Sequence, residues 1–237
     1  MVKRFLFLCT VVLFCTSCPS VKNANNLTPD EAEELAWATR VCVSAEYGFP
    51  RNRVVKWARP VRVSVIQGQA NSDVIDVIDT LNDQLKGSPV SVELVPYPDK
   101  SADIELYMTE LKDFTSIARE NKFNYVKGNW GYVYCFWNKE YEINKAYVLI
   151  ATDVLEGVRL RHFIFEEMVQ GFGLLNDSRT YTDSIFFSGN QYDLLIDSLS
   201  ERDKKLVRLL YSKLNAGDTK QQFEQAFIES WKDIAVE

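Results

Sequence analysis

The residues whose types could support catalysis or metal binding lie in one stretch, from His162 to Asp177. His162, Glu166 and Gln170 follow one another at intervals of four, which places them on one stripe of a helix. On such a stripe His162 and Glu166 could share a metal ion, or His162 could simply pair with Glu166 at the surface. Because His162 is the single histidine of the chain, every zinc site that needs two or three imidazoles is excluded.

Two carboxylates and a polar loop surround this stripe. Glu166 and Glu167 are adjacent, and adjacent helix positions point about 100° apart, so we expect at most one of them to face inward. They form either a solvated face or a buried polar network that hydrogen-bonds the loop at Asn176 and Asp177. Asp177 and Asp183 could bind a cation together, but aspartates also cap and turn loops, and the turn interpretation is favoured.

The same stretch resembles a degenerate metallopeptidase motif of the extended zincin type, His-Glu-x-x-His-x-x-Gly-x-x-His, in which imidazoles hold zinc and the glutamate activates water. When the motif is laid over this chain, the three zinc-ligand positions fall on Glu166, Gln170 and Asn176. The general base falls on Glu167 and the turn glycine on Gly173. Only the base and the turn glycine match. The oxygen donors at the other positions suit calcium or no metal better than zinc. We therefore expect no cofactor and no metal, with His162, Glu166 and Gln170 as the candidate ligands if one is bound.

The stretch also resembles the hallmark Glu-Glu-x-x-Gln-x-x-Gly-Leu-x-Asn-Asp of an uncharacterised family of bacterial lipoproteins, a domain of unknown function. Further landmarks of that family resemble later and earlier segments of this chain. These are Trp57, Pro60-Val-Arg-Val63, Asp183-Ser-Ile-Phe186, Leu209-Leu-Tyr211 and Gly217. The resemblance spans roughly residues 40–220, and it implies no activity because the family has none established.

The N-terminus has the features of a targeting segment. Lys3 and Arg4 precede an apolar run, Phe5–Phe14, that is too short to span a bilayer. Thr16-Ser17 then place small side chains before Cys18, which resembles the lipoprotein box whose cysteine is acylated. We predict a lipoprotein signal peptide over 1–17, lipidation of Cys18, a tether over 18–27 and a single zincin-like α+β domain over 28–237.

These assignments place the protein in the bacterial cell envelope, anchored to the membrane by its lipid, in the outer membrane where the cell has one. Plain secretion is the alternative. The 237 residues are 46% hydrophobic and 25% charged, as in globular proteins, and the formal net charge of -6 argues against nucleic acid as a partner. In an oxidising compartment Cys42 and Cys135 could form a disulfide or stay as two buried thiols, and their spacing does not decide between these states.

Hydrophobic periodicity and capping residues predict the order of the elements. The predicted helices cover 28–48, 71–87, 109–121, 154–171, 201–214 and 219–234. The predicted strands cover 60–66, 90–95, 103–108, 131–137 and 143–152, the last two as a hairpin. This segregated order indicates an α+β fold with a mixed sheet, a long motif-bearing helix and a helical C-terminal part. It is also the order of elements in a zincin.

Two functions are compatible with these observations. The favoured one is an envelope-anchored, catalytically inactive zincin-like domain that binds a protein, a peptide or a glycan. Its former cleft would lie beside aromatic side chains: Trp130, Tyr132, Tyr134, Phe136 and Trp137. The alternative is a metal-dependent, peptidase-like hydrolase with nonstandard ligands and Glu167 as general base. Convergence of His162, Glu166 and Glu167 on one cleft would favour the hydrolase.

Overall fold

The structure is a computed structural model that describes residues 27–44, 52–189 and 196–235. The predicted signal peptide, Cys18 and the predicted end of the first helix at Gly48 lie outside these residues. The helices are α1 (Pro29–Val43), α2 (Ser72–Gln84), α3 (Phe114–Glu120), α4 (Gly157–Gln170), α5 (Glu201–Lys213) and α6 (Lys220–Ser230). The strands are β1 (Val61–Gln67), β2 (Val92–Val95), β3 (Ile104–Thr109), β4 (Gly131–Trp137) and β5 (Ile143–Ala151). None of the helices in the described ranges has the length and apolar character that a membrane crossing requires.

The five strands form one mixed sheet in the order β2-β1-β3-β5-β4. β1 runs parallel to β2 and β3, and β3 runs parallel to β5. β4 pairs antiparallel with β5, which confirms the predicted hairpin. The predicted fold class is confirmed, since a mixed sheet is followed by the long helix α4 and a helical C-terminal part.

Three helices begin with reciprocal caps that the sequence encodes locally. In α1 the Thr28 hydroxyl accepts a hydrogen bond from the Glu31 amide at 3.3 Å, and the Glu31 carboxylate accepts one from the Thr28 amide at 2.7 Å. Ser200 and Thr219 start α5 and α6 with the same arrangement. Each cap is worth about 1 kcal/mol, so these helix starts are specified without tertiary contacts.

The sheet separates two hydrophobic cores. The larger core lies on the face that α2 and α4 cover, and the smaller one lies on the other face beneath α3. Side chains alternate along β4, so Tyr132, Tyr134 and Phe136 point into the smaller core, where Phe123 stacks on Tyr134 with ring centroids 5.2 Å apart. These three aromatic residues therefore do not face α4, and the predicted aromatic lining of its cleft is wrong for them.

Candidate functional site

The C-terminal half of α4 is buried on every side. β4 and β5 pack against one side of the helix and α2 against another, the segment before α5 contacts His162, and α1 contacts Asn176 in the loop after α4. Glu166 and Glu167 are 3% and 6% exposed. Of the two alternatives for these glutamates the solvated face is therefore excluded, and the expectation that at most one of them faces inward is wrong. Adjacent side chains on a helix point about 100° apart, but neither reaches solvent when other elements cover the helix on every side.

His162 and Glu166 form a buried pair on α4. The Nε2 atom of His162 lies 3.3 Å from the Oε2 atom of Glu166, and its Nδ1 atom donates a hydrogen bond to the Ile196 carbonyl. Both ring nitrogens thus face oxygen atoms, an arrangement in which the doubly protonated imidazolium can donate from both. The pairing agrees with one sequence hypothesis, but its predicted location at the surface is wrong, since both residues are buried.

The charge of His162 makes the stability of the fold depend on pH. Burial alone lowers the pKa of His162, but Glu166, the Ile196 carbonyl and Asp197 together raise it above 6.5. The stabilisation is complete below the unfolded-state pKa and is lost as pH rises through the higher folded-state pKa. We expect the free energy of unfolding to fall as the pH rises from about 6.5 through the higher folded-state pKa, and to fall less in His162→Gln. Urea unfolding at a series of pH values measures this, and equal slopes in both proteins would contradict it.

The zincin overlay places the second and third zinc ligands on Gln170 and Asn176, and in this structure both are amides tied to other parts of the chain. Gln170 donates to Asp177 through Nε2 and Oδ1 at 2.8 Å. Asn176 donates to the Arg40 carbonyl at 3.2 Å, and the Arg40 guanidinium donates back to the Asp177 carbonyl at 2.8 Å. These contacts dock α1 onto the loop that follows α4.

Glu167 points towards β4, the antiparallel edge strand. A Cβ atom added to Gly131 would lie 2.5 Å from Oε1 of Glu167 and 2.5 Å from the Phe163 ring. Glycine is therefore required at position 131 for the strand to approach α4. His162 and Glu166 meet each other, whereas Glu167 packs against this strand.

The remaining predicted site residues have separate partners. Asp183 is exposed and accepts a hydrogen bond from Arg202 at 3.1 Å, while Asp177 accepts one from Gln170. Within residues 27–44, 52–189 and 196–235, no three His, Cys, Asp or Glu side chains are grouped closely enough to hold a metal ion. The residues of the overlay are thus distributed among different contacts.

Cys42 and Cys135 are both buried and are not joined by a disulfide, so of the two states that the sequence left open the structure has the thiol form. The Cys135 thiol lies 3.8 Å from the Gly171 carbonyl. It therefore contributes to the end of α4.

The end of α4 is held by residues whose roles the sequence analysis did not identify. The Trp57 indole donates to the Gly171 carbonyl at 2.9 Å, and the Tyr211 hydroxyl donates to the Phe172 carbonyl at 2.9 Å. Gly173 adopts a φ of +101°, as its predicted turn requires, and its Cα faces the Val55 carbonyl. Trp57 and Tyr211 are among the family landmarks, so the available signal was the resemblance.

The fold and this site define a class of protein: an α+β domain whose long helix α4 carries a buried imidazole, two buried carboxylates and a buried amide. The chain belongs to the family described as "Protein of unknown function (DUF2927)", which matches residues 38–229. No curated protein matches it.

Two solved structures of myroilysin have a remote likeness to the chain. The one titled "Structure of myroilysin" has 11% identity and a TM-score of 0.40 over 68% of this chain and 97% of the other. The one titled "Crystal structure of myroilysin" has 9% identity and a TM-score of 0.40 over 78% of this chain and 97% of the other.

Proposed function

We propose that the protein is an envelope-anchored lipoprotein whose zincin-like domain is catalytically inactive and serves as a binding or scaffold domain. Its partner would be an envelope protein, a peptide or a glycan. The observation that carries this proposal is the hydrogen bond between Gln170 and Asp177. Gln170 occupies the helix position at which a zincin has its second zinc-binding imidazole. Here that position holds the loop after the helix in place.

The other motif positions support the same conclusion. Glu166 neutralises His162, and Asn176 binds the backbone of α1 through Arg40. A hydrolase would need Glu167 beside a metal-bound water and close to the ligands. In this fold Glu167 packs against Gly131 of the edge strand β4. The hallmark thus serves to assemble the domain around α4.

Anchoring rests on the N-terminal sequence. Cys18 follows the small residues Thr16-Ser17 and precedes the domain by ten residues. We expect the protein from bacterial membranes to carry an acylated Cys18, which intact-mass measurement detects, and Cys18→Ser to abolish the added mass. An unmodified cysteine after cleavage would favour secretion, the alternative location.

The test of inactivity is the metal content of residues 19–237, purified without chelators and without a histidine tag. We expect no bound transition metal, and the same melting temperature with and without EDTA. Asp183→Ala serves as a control for the effects of a substitution near the motif, since Asp183 is exposed and bound to Arg202. One equivalent of metal that is lost in His162→Ala and retained in Asp183→Ala would overturn the proposal and favour the hydrolase.

A further inference from the structure

Exposed aliphatic side chains collect at one end of the domain. Ile75, Val126, Val154 and Val158 are between 40% and 49% exposed. Ile75 and Val158 lie in the first turns of α2 and α4, which follow β1 and β5. Because the parallel strands all finish at the same edge of a sheet, these residues share that end. The exposed Trp137 ends β4, which runs the other way, and lies at the opposite end.

Contacts between the elements support this placement. Arg161 in the second turn of α4 donates to Asp73 in the first turn of α2 at 2.8 Å, which brings the N-terminal parts of the two helices together. The Ala151 amide donates to the Trp130 carbonyl at 2.9 Å, which places the loop before β4 beside the loop after β5. Val126 and Val154 lie in these two loops. The four side chains define what we call the aliphatic end.

The start of α1, which follows the predicted tether, lies at the same end as these side chains. α1 runs in the direction of α4, because Arg40 near the end of α1 contacts Asp177 beyond the end of α4. Near its start, Glu34 pairs with Arg202 in the first turn of α5 at 3.5 Å. Arg161 of α4 donates to the Asp197 carbonyl just before α5. The starts of α1, α2, α4 and α5 therefore lie together.

A tether of this length keeps the aliphatic end close to the membrane. Ten residues from Cys18 to Thr28 span at most about 35 Å when fully extended, roughly the diameter of a small domain. We propose that the aliphatic end rests on the bilayer surface, with Ile75, Val154 and Val158 in the headgroup region. This inference rests on the proposed lipid anchor, which supplies the attachment, while the aliphatic end sets the orientation.

The charges at this end are compatible with contact with lipid. Arg161 binds both Asp73 and Asp76 at 2.8 Å, and Lys112 pairs with Glu110. The Asp153 carboxylate accepts a hydrogen bond from the Leu111 amide at 2.9 Å. Because Arg161 and Lys112 offset part of this acidic charge, repulsion from anionic headgroups is reduced. The docking is apolar, so we expect it to persist at high salt.

The experiment uses the full-length lipoprotein, purified from bacterial membranes and reconstituted into vesicles of phosphatidylethanolamine with a minor fraction of phosphatidylglycerol. Val158→Cys carries an environment-sensitive fluorophore, and Lys213→Cys, at the exposed far end of α5, is the matched control. Cys42 and Cys135 are buried, so labelling is directed to the introduced thiol. Iodide quenching is measured in vesicles and again after transfer to detergent micelles too small to offer a flat surface.

We expect iodide quenching at position 158 to fall several-fold in vesicles, with a blue-shifted emission, and quenching at position 213 to be unchanged. Equal quenching at both positions, in protein whose mass shows an acylated Cys18, would overturn the orientation and leave the anchor standing. An intact mass that shows no acyl chains on Cys18 would overturn both the proposed lipid anchor and this inference.

Discussion

Replacing Gly173 with alanine should destabilise the domain by about 3–5 kcal/mol, because two costs add. The φ of +101° lies in the region that favours glycine, and the added Cβ would fall 2.0 Å from the Val55 carbonyl oxygen. This oxygen belongs to backbone that also leads to Trp57, which holds the end of α4. Relieving the clash would therefore displace the turn that carries Asn176 and Asp177. Urea unfolding measures the loss.

Gly87→Ala is the matched control. Its φ of +83° is also positive, but nothing lies within 4 Å of the added Cβ atom. It should lose only the conformational cost, about 1–2 kcal/mol. Equal losses of unfolding free energy in the two variants would mean that the close approach of Val55 to Gly173 costs nothing. They would also weaken the conclusion that this glycine lets the turn pack against residues 54–57.

The local features of the fold could be predicted because they depend on neighbours in the sequence. Thr28 and Glu31 are three residues apart, and their reciprocal cap is present as expected. His162 and Glu166 are one helical turn apart, so their contact also follows from spacing. The alternation of Tyr132, Tyr134 and Phe136 was visible as well. A period of two would have assigned these three to a single face of β4, apart from its neighbours.

The burial of the motif could not be predicted because its partners are distant in the sequence. Arg40 and Asp177 are separated by 137 positions, and Trp57 and Gly171 by 114. A helical stripe gives the direction of each side chain but not what covers it. The polar residues of α4 therefore had two interpretations. They could be ligands of a bound group, or connectors, by which we mean residues whose hydrogen bonds hold the helix to other parts of the chain, and only tertiary contacts distinguish the two. In this fold each carboxylate or amide contacts a different part of the chain.

His162→Leu should destabilise the domain by about 3 kcal/mol, because it leaves the Glu166 carboxylate buried without its cationic partner. Glu166 lies in the buried C-terminal half of α4 and cannot reach water without displacing the elements that pack against the helix. Unfolding at about pH 6, where the native histidine is charged, gives the largest difference. Residues held in place for a ligand behave in the opposite way, since their removal commonly relieves strain and stabilises the unliganded protein. The sign of the change therefore separates a connector from a ligand.

The variant that carries both His162→Leu and Glu166→Leu is the control, because it removes the stranded charge as well as its partner. It should recover part of the lost stability, since only the cost of leaving the Ile196 carbonyl without its donor remains, at the lower end of about 1–3 kcal/mol. Glu166→Leu alone should cost less at about pH 8 than at about pH 6, since His162 can shed its proton. A His162→Leu protein as stable as the native one would contradict the connector role, and it would restore the interpretation of the hallmark as a site kept for a ligand.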